Sequence, residues 1–161
     1  MPFLFLPFDV PVWIGALSLL ALAGTALYDA RTGLVPPVPL AVATLLLMFG
    51  LISVDAARAF TAPLYAVLFY AGVWAVNEAH YRITGRDALG LGDAHWSLVA
   101  VMAYGPLPVL MAWGAGAWLA IFWLGGLKLL KRPAGHVYFV PFLFAGLMLV
   151  LMLLPVLATA V

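Results

Sequence analysis

The chain contains no cysteine, which excludes disulfides, thiolate metal sites and cysteine nucleophiles. Charge is nearly as scarce. Charged residues make up 8% of the 161 positions, whereas a soluble domain carries roughly 25%. So few ionic groups cannot cover a water-facing surface, and a soluble globular domain is excluded. Disorder is excluded as well, because it needs low hydrophobicity and high charge, and here the net charge is +1. No block of Lys and Arg exists that could follow a phosphate backbone, so no nucleic-acid partner is expected. The opening MPFLFLPFDV lacks the basic n-region of a removable signal peptide. The Ala-x-Ala run at Ala21–Ala23 falls within a good spanning segment and reads as helix.

What is present is apolar sequence: 67% of the residues are hydrophobic. Crossing roughly 30 Å of hydrocarbon at 1.5 Å per residue takes about 20 residues. Six such runs are expected, near Pro11–Tyr28, Val38–Val54, Ala62–Arg82, Ala94–Tyr104, Leu107–Leu130 and Val137–Ala158. The breaks between them hold the punctuation: Pro36-Pro37, Asp55 to Thr61, Gly85 to Asp93, Gly105-Pro106 and Lys131 to Gly135. The runs are continuous and lack the in–out alternation of a membrane barrel. The expected architecture is therefore all-α, a polytopic membrane protein of about six transmembrane helices forming a single domain over residues 1–161. The fourth run is short, about 16 Å of helix. Either its break falls later, near Gly114 or Gly116, or the helix starts below the membrane surface and carries Asp93 to some depth.

Arg31, Arg82, Arg86, Lys128, Lys131 and Arg132 fall at alternate connections, with Arg58 alone on the opposite side. The bias of basic residues toward the cytoplasm then orients the chain with both termini outside and the first, third and fifth connections inside. The same side collects Asp29, Glu78, His80, Asp87, Asp93, His95 and His136. Asp9, Asp55 and Arg58 read as wetted interfacial residues, and the six tryptophans as lipid-facing or interfacial anchors. Glu78 and His80 are two apart on a helix and point in different directions, and no histidine-ligand spacing signature occurs, so no metal is expected.

Two carboxylates have unusual settings. Asp29 closes the first run, where a negative charge opposes the helix macrodipole; Arg31 offers partial compensation. Asp93 follows Gly90-Leu91-Gly92 and opens the fourth run. An aspartate there is a good N-cap, while paired glycines let a backbone approach a partner closely. If the first and fourth helices pack, both acids lie at the same membrane face and can converge on one water. Two close carboxylates do not both ionise cheaply, so one can accept a proton from water while the other donates to a carbonyl oxygen.

Three segments resemble the prepilin peptidases, membrane aspartic proteases that process type IV pilins. They are Asp29-Ala-Arg-Thr-Gly-Leu-Val-Pro36, Asp87 preceding the GxGD motif Gly90-Leu91-Gly92-Asp93, and Pro141-Phe142-Leu143 followed by Gly146. The resemblance implies a catalytic pair, Asp29 and Asp93, facing the cytoplasm in a bacterial inner membrane. It implies a prepilin or pseudopilin substrate whose leader is cut just before its hydrophobic helix, and no cofactor. Gly90, Gly92, Asp87, His95, Arg31 and Pro36 become candidates for positioning the substrate or the loops. Bifunctional members carry a four-cysteine zinc region and methylate the new N-terminus. That region is not expected here, and the chain resembles the short, peptidase-only form.

The sequence also departs from the family. His95 stands where Lys is usual, Pro37 where Asn is common, and Tyr138 and Val140 replace a Pro and a Gly of the C-terminal element. A sister class of GxGD proteases pairs Tyr-Asp, here Tyr28-Asp29, with Gly-Leu-Gly-Asp, but its Pro-Ala-Leu element is missing. A non-catalytic assembly scaffold and a small transporter using the acids for proton coupling are the alternatives from other classes.

Overall fold

The computed structural model describes residues 12–54, 56–87, 89–133 and 138–159. These form six helices: α1 (Val12–Thr32), α2 (Pro37–Val54), α3 (Ala56–Thr84), α4 (Leu91–Tyr104), α5 (Pro106–Leu129) and α6 (Val140–Thr159). Four of them, α1, α2, α3 and α5, are long and apolar enough to cross a membrane. The side chains described on α6 continue the pattern as a shorter apolar stretch, Val140–Leu153. The chain is an all-α, multi-pass membrane protein.

The helix surfaces show why. On α2, Leu40, Ala43, Leu47 and Gly50 are buried at helical spacing, and the opposite face carries Val42, Leu45, Phe49 and Ile52, all exposed. A helix that is apolar all round has lipid on its outer face. Two buried hydroxyls on α1 are satisfied within their own helix. The buried hydroxyls of Ser18 and Thr25 donate to the Ile14 and Leu22 carbonyls at 2.8 and 2.9 Å.

Helix α4 occupies the centre and packs against all five others. Nine of its 14 residues are buried. At 1.5 Å per residue it is about 21 Å long, well short of the slab that its neighbours span. Its limits are set by glycine and proline. Gly90 is its N-cap, and Gly105, at φ 84°, turns the chain before Pro106 opens α5. The break therefore falls at Gly105, not near Gly114 or Gly116.

Two expectations need correction. The stretch from Asp55 to Thr61 is not a long break, because α3 is helical from Ala56 onward; Ala-Ala-Arg-Ala-Phe contains neither Gly nor Pro to stop it. Nor are all the tryptophans anchors in lipid. Trp13, Trp74, Trp118 and Trp123 are exposed, but Trp96 is wholly buried. Its Nε1–H donates to the Leu22 carbonyl at 3.2 Å, tying α4 to α1. Trp113, half-buried, donates to Ser97 Oγ at 2.9 Å and ties α5 to α4. An indole can sit in an apolar core when its one donor finds an acceptor. Asp9, Asp55 and His136 lie outside the described residues.

Candidate active site

Three connections meet at one end of the bundle: α1–α2, α3–α4 and α5–α6. Together they line a cleft of about 590 Å³. Asp29 and Gly33 to Val35 come from the first, with Pro37 opening α2; Gly90 to Asp93 and His95 come from the second; Tyr138 and Phe139 come from the third. Both aspartates face it, although they are 5% and 8% exposed.

Asp29 sits in the last turn of α1, which ends at Gly33. That glycine adopts φ 71°, and its N–H donates back to the Asp29 carbonyl at 2.8 Å, a left-handed helix terminus that favours glycine. The unfavourable position of a carboxylate at the C-terminus of its own helix is offset by another helix. The backbone N–H of Val140, in the first turn of α6, bonds the Asp29 carboxylate, where a helix N-terminus favours negative charge. Arg31 is exposed and does not line the cleft.

Asp93 is not the N-cap of α4 but its third residue. Its own N–H donates to the Gly90 carbonyl at 3.0 Å, and the Gly90 N–H donates to Asp93 Oδ2 at 3.1 Å. The carboxylate thus closes the first turn from within, the acidic half of a capping box. Gly92 lies beneath the α1–α2 connection: a Cβ there would be 2.5 Å from Val35 Cγ2. Asp29 and Asp93 both line this cleft. Both acids, far apart in sequence, therefore share one cleft.

The remaining candidates divide. His95 lines the cleft; its Nδ1–H donates to the Leu91 carbonyl at 2.8 Å, and its ring lies 5.4 Å from that of Tyr70. His95 also lines an adjoining apolar groove of about 240 Å³ between α2 and α4. Asp87 is exposed and bonds Asn77 rather than facing the cleft. Pro37 reaches the cleft, while Pro36 does not line it. Glu78 pairs with Arg82 at 2.8 Å on the same helix. Among the described residues no cluster of three or more His, Asp or Glu could hold a metal ion.

Sequence reasoning missed three contributors. Tyr138, noted only as a departure from the family's C-terminal element, lines the cleft and lies against Gly33. Val140, noted likewise, supplies the amide that meets Asp29. Asn77 attracted no notice, because a single amide near a helix end carries no spacing signal. In comparisons with known proteins, the chain matches no family model, no curated protein and no solved structure.

Proposed function

We propose that the chain is a membrane aspartic endopeptidase that removes the leader of a type IV prepilin or pseudopilin at the cytoplasmic face. The reading rests on one observation: Asp29 and Asp93, both buried, come from different helices to a single cleft. Two carboxylates in such a setting supply the two proton transfers that amide hydrolysis needs. The ionised acid takes a proton from water, whose oxygen attacks the peptide carbonyl carbon. The protonated acid donates to the carbonyl oxygen, giving a tetrahedral gem-diol. Return of a proton to the nitrogen breaks the C–N bond and releases carboxyl and amine products. The resemblance in the segments around Asp29, Asp93 and Pro141 narrows the substrate to prepilins. A substrate held by its own apolar helix brings the junction of leader and helix to the membrane face.

In this reading all six helices lie in the membrane with both termini outside, which places the basic residues of the odd-numbered connections in the cytoplasm. Co-expression with a candidate prepilin tests it by the mass shift on leader loss. Asp29→Asn and Asp93→Asn each lower processing by at least about 100-fold, with the folded protein still in the membrane. Normal cleavage by either variant would overturn the pair. Proton-dependent solute flux without cleavage would establish the transporter instead, and chelators leave the peptidase unaffected.

A further inference from the structure

The exposed end of α3 carries polar side chains that divide into two sets. Glu78 and Arg82 bond each other. Asn77, His80 and Thr84, at i, i+3 and i+7, share one helix face and bond the connection that leads to α4. The His80 Nδ1–H donates to the Arg86 carbonyl at 2.9 Å, and the Arg86 N–H donates to Thr84 Oγ1 at 3.3 Å. Asn77 does more. Its Nδ2 donates to Asp87 Oδ1 at 2.9 Å, and its Oδ1 accepts the Leu89 N–H at 2.9 Å. One orientation of the amide satisfies both, because the carboxylate needs a donor and the N–H needs an acceptor.

Leu89 immediately precedes Gly90, whose N–H holds Asp93 Oδ2 and whose carbonyl holds the Asp93 N–H. The half-buried Leu89 lines an apolar groove with Val73, Val76 and Trp113. The bonded path from α3 to the Asp93 carboxylate thus runs through adjacent residues, with no slack segment between the Asn77 amide and the turn. We infer that Asn77 is a positioning residue: by clamping Asp87 and Leu89 it fixes the Gly90–Asp93 turn and with it the placement of the Asp93 carboxylate in the cleft. The inference rests on the peptidase reading for its kinetic consequence, but the clamp is measurable without it.

A primary amide is required, since a carboxylate at position 77 accepts from Leu89 but cannot donate to Asp87 and repels it. Asn77→Asp therefore keeps the Leu89 bond, loses the Asp87 bond and sets two carboxylates against each other, which loosens the connection ahead of the turn. The double variant Asn77→Asp with Asp87→Asn restores it, because the amide now placed at 87 donates to the carboxylate at 77. The absence of cysteine allows a single nitroxide label at Leu91→Cys, an exposed position, in the full-length protein in lipid vesicles. The label gains mobility in Asn77→Asp and loses it again in the swap. Cleavage of a prepilin falls in kcat, on the order of 100-fold for an ångström of misplacement, with KM little changed, and recovers in the swap. Asn77→Ala removes the Leu89 and Asp87 bonds together without adding charge and gives at least as large a gain in mobility, also where Asn77→Asp does not fold. Unchanged label mobility in folded Asn77→Ala overturns the clamp whatever the activity does, and unchanged mobility in folded Asn77→Asp overturns its Asp87 half. A swap that leaves the label mobile overturns the role of Asp87. Absence of cleavage in the parent chain, with the mobility pattern intact, overturns the peptidase reading and leaves the clamp standing.

Discussion

A methyl group added at Gly92 would lie 2.5 Å from Cγ2 and 2.9 Å from Cβ of Val35, distances that only a shift of the α1–α2 connection or of the first turn of α4 relieves. Val35 is β-branched and has little rotamer freedom to yield. Gly92→Ala is expected to cost about 1–3 kcal/mol of stability and to displace the neighbouring Asp93. Adding Val35→Ala opens the space and recovers most of the loss, as thermal unfolding in detergent would record. The two acids make a separate prediction. If catalysis needs one protonated and one ionised carboxylate, the rate falls at both low and high pH, and the two apparent pKa values belong to the pair. Both acids were legible in the sequence because charge is so scarce that each ionisable group demands a reason. Asn77, Tyr138 and Val140 were not. A neutral amide, a phenol and a backbone N–H become informative only when the fold brings their partners near.

Helices α5 and α6 approach so closely that their backbones touch. A Cβ at Gly116 would be 2.8 Å from the Phe142 carbonyl oxygen, and one at Gly146 would meet the Ala112 carbonyl. Small residues permit this spacing, and close packing stabilises helix pairs in lipid, where no hydrophobic force between helices operates. Carbonyl groups cannot rotate aside as side chains do, so Gly116→Val must push α6 away. The expected cost is again about 1–3 kcal/mol, read as a lower unfolding temperature. On the proposed peptidase reading, cleavage is expected to fall too, because the first turn of α6 supplies the Val140 amide that bonds Asp29. The number of helices and most of their limits could be read from apolar runs and from Gly and Pro. The start of α3 could not, because no local signal distinguishes a helix that continues from one that restarts after Asp55. The central placement of α4 was also hidden, since its composition resembles that of its lipid-facing neighbours.

Across the whole bundle, alternation of six helices puts Arg31, Arg82, Arg86, Lys128, Lys131 and Arg132 at the end where the cleft opens. The proposed orientation predicts that a maleimide reagent reaches Arg86→Cys only after the inner membrane is permeabilised. The same reagent labels Ser53→Cys, exposed at the opposite end, from the outside of intact cells with a permeable outer membrane. The reverse pattern would show the cleft to face outward. How the acids meet was only partly legible: their shared membrane side followed from helix counting, whereas their shared cleft required the packing of α1 against α4.

The shortness of α4 has a consequence for any polypeptide that enters. Its first turn lines a cleft completed by the three connections at that end of the bundle, with both carboxylates nearly shut off from solvent. In an intact α-helix each interior carbonyl is already engaged by an amide one turn onward, and the rod, about 10–12 Å across with its side chains, presents no bare amide bond to the acids. If the chain is the proposed peptidase, its substrate must reach the acids as an unravelled strand, so the bond selected for scission is expected to lie where a guest sequence stops being helical.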